Sequence, residues 1–307
     1  MRVNEATADR SRAETQSGTT RRTALKGLGV AATALLAGCS VTADVERETA
    51  DVEYSVDGSE VDRIAVSGDD GDTTVRGWDG DDVRVEATKY ARGRTDLSDV
   101  TVTRAVADGR LDIEADVSVA VGIGPAGGGL ESLDVRVPQG TRVTRVEMDD
   151  GDAEVTDVAG DLTLDVDDGT VEVGPLSGHL ETTVDDGTVT VGAVDRVTGE
   201  FDDGALEMTE PATVGDLSVD DGDLELAIED LDGDATVECD DGTVTARVAP
   251  TIDATVVVNA DDGSVQYEGD LFDSVSTNED TTRGEIGDGG DRLTIDVDDG
   301  DVRMSPL

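Results

Sequence analysis

The sequence has very little histidine, cysteine, lysine, proline or aromatic character. Histidine occurs once (His179), cysteine twice (Cys39, Cys239), lysine twice (Lys26, Lys89), and proline six times among 307 residues. Aromatic residues make up 2 % of the chain. One histidine and two cysteines exclude zinc sites of the His/Cys kind and most acid–base triads. A disulfide framework is excluded as well, because Cys39 falls in a leader segment with a different fate. Basic side chains number 23 against 73 acidic ones, a formal net charge of −50. No basic face large enough to meet nucleic-acid phosphate can be built from that balance. A surface so negative also repels anionic lipid.

The abundant residues are aspartate, 51 against 22 glutamates, and glycine at 37. High charge with low hydrophobicity is ordinarily a disorder signature, but here the apolar residues are strictly patterned. Many aspartates, few lysines and small apolar side chains fit a protein adapted to molar salt, where the Debye length shrinks to about 3 Å.

Residues 1–38 read as an export leader. Thr20-Arg21-Arg22-Thr23-Ala24-Leu25-Lys26 resembles a twin-arginine motif with Arg21 and Arg22 as its pair. The apolar run that follows, Gly27 to Gly38, is shorter than the roughly 20 residues needed to span a bilayer. It ends in Leu36-Ala37-Gly38-Cys39, which resembles a lipobox whose cysteine takes a lipid and becomes the mature N-terminus. Residues 39–50 then form a polar tether. The expected location is the outer face of the cytoplasmic membrane, with the membrane reached through the lipid on Cys39.

Asp-Asp-Gly occurs nine times, at Gly71, Gly151, Gly169, Gly187, Gly204, Gly222, Gly242, Gly263 and Gly300. From Gly151 the steps are 18, 18, 17, 18, 20, 21 and 37. The last is about two steps, with Thr282-Arg283-Gly284 as a degenerate copy inside it. Apolar residues recur seven, five and three places before these glycines and two and four after them, with Thr182 in one such place before Gly187. Leu162, Leu164, Val166, Val171 and Val173 fill those places around Gly169. Period two on both sides of a glycine means two strands meeting at a corner, and glycine supplies the positive φ such corners need. Cys239 occupies one of the inward places and reads as a small core residue. His179 occupies an outward place and reads as solvated.

Two architectures fit a strand–corner–strand unit of this length: a β-solenoid whose coils stack, or a meander of hairpins. Constant spacing and equivalent residues in each copy favour the solenoid. The expected fold is therefore all-β, a solenoid of coils of about 18 residues over 149–307, with a less regular β cap over 51–148. Strands in the cap read at 63–66, 73–76, 83–87, 100–106, 111–115, 118–121 and 133–137, and the break before the regular repeat is Val137-Pro138-Gln139-Gly140.

These features together resemble the "putative adhesin" family, β-strand-repeat domains of unknown function carried by exported bacterial and archaeal proteins. The matching elements are the Val137-Pro138-x-Gly140 step, the repeated strand-x-x-Gly-x-apolar coil, and the closing Ile286-Gly287-Asp288-Gly289, Leu293-Thr294-Ile295 and Asp299-Gly300-Asp301-Val302. The resemblance spans about residues 50–305. It implies a β-helix-like fold and a cell-envelope role, and it supplies no catalytic residues.

Three motifs bear on ligands. Gly122-Ile123-Gly124-Pro125-Ala126-Gly127 matches a dinucleotide fingerprint, but strand periodicity follows where a helix is needed. Asp230, Asp232 and Asp234 have calcium-loop spacing, but Ala235 replaces the required glycine. The aspartate pairs are the serious candidate. Stacked coils would align Asp167, Asp185, Asp202, Asp220 and Asp240 beside Asp168, Asp186, Asp203, Asp221 and Asp241. Oxygen ligands in a row suit Ca²⁺ or Mg²⁺; a solvated acidic edge with diffuse counter-ions is the plainer reading, with no cofactor at all. The expected function is a non-catalytic, lipid-anchored surface protein in adhesion or envelope assembly, its partner an envelope protein or glycan. A divalent-cation-dependent binding module is the alternative. A polysaccharide-active β-helix enzyme is the remote one, since it needs a cationic groove and the arginines (Arg136, Arg142, Arg145, Arg196, Arg247) look scattered.

Overall fold

A computed structural model describes residues 47–117, 126–278 and 281–307. The export motif (Arg21, Arg22), Cys39, the expected strand at 118–121 and most of the Gly122–Gly127 motif lie outside the described residues. The strands, in chain order, are β1 (Arg47–Asp57), β2 (Arg63–Gly68), β3 (Asp72–Trp78), β4 (Asp82–Gly93), β5 (Val100–Ala107), β6 (Arg110–Val117), β7 (Ala126–Pro138), β8 (Arg142–Thr156), β9 (Val158–Ala159), β10 (Leu162–Val173), β11 (Leu176–Val191), β12 (Val194–Met208), β13 (Ala212–Leu231), β14 (Ala235–Val248), β15 (Ala254–Ala260), β16 (Ser264–Tyr267), β17 (Ser274–Thr277), β18 (Thr281–Ile286) and β19 (Asp291–Pro306). Among the described residues the one helical element is a single 3₁₀ turn at Gly58–Glu60.

The repeat forms its coils for the reason its periodicity gives. In β10, Leu162, Leu164 and Val166 point inward before the corner and Val171 and Val173 after it, and all five are buried. Each long strand is thus two arms joined at Asp-Asp-Gly. The arms pair in parallel with those of the next coil: Leu162 with Leu180, Val166 with Val184, Gly169 with Gly187, Val173 with Val191. The same parallel register continues through β12, β13 and β14. A hairpin meander requires antiparallel neighbours, so that alternative fails here. Short return segments close a third side, where Leu176 lies between Val158 and Val194 and all three are buried. Packing adjusts across coils. Gly199 stands at an inward place, and the space is filled by Phe201, whose ring carbon lies 3.2 Å from where a Cβ would be.

The stack departs from chain order at both ends. The first copy, β2–Gly71–β3, pairs directly with β8, although 63 residues intervene in the chain between them: Ile64 with Val143 before the corner, Val75 with Val155 after it. Beyond it lies an outer rung made by β6 and β7. Then the direction reverses, β5 running antiparallel to β6, β4 to β7, and β1 to β4. At the other end, the C-terminal β19 pairs with β14 on one side and with β15 and β16 on the other. The spatial order of corners is therefore Gly242, Gly300, Gly263. Thr282-Arg283-Gly284 is not a corner copy, because it lies in β18, antiparallel to β15 and β17, with Gly284 under the ring of Phe272.

The tether ends earlier than expected. Arg47 to Ala50 already belong to β1, paired with Lys89 to Arg92, and Arg47 bonds Glu131 at 3.1 Å. The described residues form one compact unit, and the expected boundary at 148/149 falls within β8.

Candidate functional site

All nine corner glycines stand in one column, in the order Gly71, Gly151, Gly169, Gly187, Gly204, Gly222, Gly242, Gly300, Gly263. A Cβ on each from Gly151 onward would meet the carbonyl oxygen of its neighbour. The chain can stack this closely at the corner only where no side chain intervenes.

The aspartates on this column are of two kinds. The second of each pair is in register from coil to coil: Asp150, Asp168, Asp186, Asp203, Asp221, Asp241 and Asp299. The first of each pair, Asp167, Asp185, Asp202, Asp220 and Asp240, sits at the bend and drops out of the pairing. All ten candidate aspartates are solvent-exposed. Their mutual repulsion is felt at Asp149. Its carboxyl is pushed above the usual aspartate range by burial first, then by Asp69 and Asp167 on either side. Among the described residues, no three His, Cys, Asp or Glu side chains gather into a group that could hold a metal ion. The Asp230-x-Asp232-x-Asp234 set is dispersed. Asp230 accepts from the Leu231 amide at 2.9 Å, Asp232 pairs with Arg196 at 2.5 Å, and Asp234 accepts from the Arg292 amide at 2.8 Å.

Cys239 is buried within the core, as its inward place requires. Its thiol is pushed up to about 11 by burial and then by Asp223, Asp240, Asp241 and Asp221. His179 is half-buried rather than freely solvated, with Nε2 2.7 Å from the Thr198 hydroxyl. Burial and the nearby Arg196 hold its pKa below the usual histidine value, despite the opposing pull of Glu181, Asp161 and Asp232.

The arginines are less scattered than their sequence positions suggest. Arg84 stands opposite Arg136, and Arg136 opposite Arg76, across β4, β7 and β3. The flanking row holds Glu53, Glu86 and Asp134 across β1, β4 and β7. Arg136 bonds Asp134 at 3.1 Å and reaches Glu86 at 3.9 Å, while Arg76 bonds Glu154 at 3.2 Å. Arg84 lies 4.3 Å from the ring centre of Trp78. Strand pairing across non-consecutive segments assembles this row, so linear spacing could not reveal it. Beside it, the Val137–Gly140 turn and Trp78 border a cleft of about 560 Å³ that also takes in Asp157, Pro175 and Ser177. Gln139 Nε2 donates to Asp79 Oδ1 at 2.7 Å near its mouth, and Trp78 Nε1 donates to the Asp82 carbonyl at 3.0 Å.

The Toastrack DUF4097 family profile matches residues 1–305. This chain belongs to the Toastrack family. Solved structures of similar fold include a protein from Parabacteroides distasonis described as a "putative lipid binding protein", at 14 % identity and TM-score 0.49, covering 85 % of this chain and 97 % of that one. A second Parabacteroides distasonis protein, described as a "putative adhesin", is 15 % identical at TM-score 0.39, covering 85 % and 98 %. A Bacteroides fragilis protein with the same description is 13 % identical at TM-score 0.37, covering 84 % and 97 %. Comparison with curated proteins finds no match. Within this Toastrack chain, among the described residues, no helix is long and apolar enough to cross a membrane.

Proposed function

We propose that this Toastrack protein is an exported, lipid-anchored, non-catalytic β-repeat scaffold for adhesion or envelope interaction in a halophile. The body is read as coils of about 18 residues capped by the strands of 51–148, displayed behind a leader (1–38) and a short tether. The observation that carries the reading is a distance along the chain. The first described strand starts at Arg47, eight residues beyond the lipobox-like Cys39, so a lipid there would hold the body against the membrane. Eight residues reach at most about 28 Å. The leader resembles one that exports proteins already folded, which suits a body that must fold in salt.

The test uses the full chain in a halophilic host. Cys39→Ser is expected to move the protein from the membrane fraction to the medium. Arg21→Lys with Arg22→Lys is expected to keep it inside the cell. Membrane retention of Cys39→Ser would overturn the anchor, and loss of neither adhesion nor envelope integrity on deletion would overturn the role.

One observation favours a cation-dependent version of the same role: the second aspartates of successive coils stand in register, beside Asp149, whose carboxyl is pushed up by burial first and then by Asp69 and Asp167. A divalent ion between coils would relieve that repulsion, as would molar salt alone. Calorimetric titration of the chelated protein in about 2–3 M KCl with CaCl₂ and then MgCl₂ separates the two. Saturable heat supports the cation module; a flat trace leaves the aspartates as a solvated halophilic edge with an envelope protein or glycan still to be captured.

A further inference from the structure

We propose that copies of this protein join head to tail, strand β17 of one copy extending the sheet at strand β5 of the next. This goes beyond the anchored-scaffold reading and does not depend on it. A stack of coils ends in strands with unpaired main-chain groups, and proteins ordinarily guard such edges with charge. Here the guard is thin at both ends of one sheet: β5 carries Arg104 alone, turned to Ser55 and Tyr54 of β1, and β17 carries no charge. That sheet contains the arms before the corner: β5, β6, β2, then β8 through β14, β19, β15, β18 and β17. Among the described residues β5 pairs with β6 alone and β17 with β18 alone.

The charge distribution points to what covers them. Residues 149–307 carry 46 acidic and five basic side chains, so most of the repeat surface repels a second copy. The terminal strands do not. β5, Val-Thr-Val-Thr-Arg-Ala-Val-Ala, has one arginine and no acid; β17, Ser-Val-Ser-Thr, has no charge. Together β15, β17 and β18 hold one arginine and one glutamate. Val106 on β5 and Val275 on β17 are two of the few large apolar residues left exposed, at 45 % and 44 %. A second copy is therefore repelled along the repeat and least repelled end on.

Strand direction and sheet length also agree. β17 runs parallel to β15, and β5 runs opposite to β6. With copies stacked in the same sense, β17 meets β5 antiparallel, the sheet's better pairing. Beyond the last rung at the C-terminal end, the first sheet runs two strands further (β18, β17) and the second none. At the N-terminal end the second sheet runs two further (β4, β1) and the first only one (β5). The two ends overlap like a lap joint. One strand spacing remains between β16 and the neighbour's β1, where residues 268–273 cross from one sheet to the other with Leu271 buried.

The test uses the full chain carrying Cys39→Ser, so that lipid drives no association, in about 3 M KCl. Sedimentation over about a hundredfold concentration range is expected to show growth beyond a dimer. Val275→Asp and Val106→Asp each place a carboxylate on one exposed edge, and each is expected to weaken association at least about tenfold. Mixing the two variants should restore association but stop at a dimer, since each retains one intact edge. Val275→Thr should associate like the parent, and β circular dichroism checks that all variants fold. A parent chain that stays monomeric throughout overturns the proposal, whether the edge is covered by its own chain or by solvent. A Val275→Asp protein that still dimerises while Val106→Asp does not would overturn it in favour of a two-fold β5–β5 contact.

Discussion

A Cβ on Gly222 would stand inside the van der Waals envelope of the Gly204 carbonyl oxygen. Gly222 also holds φ of +154°, at the margin of the region glycine favours. Gly204 differs: a Cβ there would lie 3.0 Å from the Gly187 oxygen, and its φ is outside that region. Gly222→Ala should therefore destabilise the stack by about 2–4 kcal/mol, and Gly204→Ala by clearly less. Chemical denaturation of both variants in high salt checks this, and equal losses would contradict the column argument.

A buried hydroxyl offers the opposite sign. Thr182 occupies the inward column of Leu164, Gly199 and Leu217 and is 1 % exposed, and its hydroxyl has no hydrogen-bond partner among the described residues. Thr182→Val removes an unsatisfied polar group at equal volume. It is expected to raise stability by about 1 kcal/mol, and a loss of stability would mean the hydroxyl is satisfied after all.

The Cys239 thiol, pushed up to about 11, is almost wholly protonated at pH 8, with a thiolate fraction of about one in a thousand. In the Cys39→Ser chain, alkylation at that pH should be negligible while the protein is folded and rapid once it is unfolded. Cys239→Val should be tolerated to within about 1.5 kcal/mol, as the equivalent places hold Val219 and Val297.

Much of the fold is legible in the sequence, and most of the rest depends on pairing between distant segments. Period two and the glycine step give coils, corners, the inward Cys239 and the register of the second aspartates, because those depend on local geometry and on near neighbours in the chain. The insertion of β19 between β14 and β15, the pairing of β2 with β8, and the row of Arg76, Arg136 and Arg84 depend on pairing between distant segments. Nothing in local spacing reports such pairing. Thr282-Arg283-Gly284 keeps the motif's outline without its two aspartates and lies within a strand. Strand β1 is hard to read at Arg47–Ala50 because its alternation is carried by Ala50, Val52, Tyr54 and Val56 among charged residues.

Acid acts on this protein through carboxyls shifted both ways and through His179. Asp165, like Asp149, has its carboxyl pushed up by burial first; Arg145 pulls it down, and Glu147 and Glu181 push it up again. A folded-state value above the unfolded one means the folded chain binds more protons in between, so stability falls as pH rises through that window. Asp57 and Asp301 run the other way, held low by hydrogen bonds from Ser59 and Ser264. Their contribution is present above the ordinary aspartate value of about 3.9 and lost below it. His179, held below its usual value, takes stability away as pH falls through its unfolded value of about 6.5. Thermal unfolding in high salt should therefore show a midpoint that rises only below that, as pH drops towards about 4.5, and falls below about 3.5. A steady decline from pH 7 downward would contradict it.

Salt should have the largest effect. With 46 acidic and five basic residues over 149–307, repulsion along the ladders opposes a thin core of Val and Leu. Below about 0.5 M salt the β circular dichroism spectrum should collapse. An unchanged spectrum after dialysis into dilute buffer would show that packing alone holds the coils.

The position of β19 sets an order of events. It is made after β14, β15 and β16, yet it supplies a layer between them, in contact with β14 on one side and with β15 and β16 on the other. Those earlier strands cannot find their final neighbour until β19 has been made. The segment from β14 to β18 must therefore wait for β19 and close around it. A nascent chain stalled short of Asp291 would leave β14 and β15 both facing a gap, and quality control could recognise the unfinished product by that gap alone.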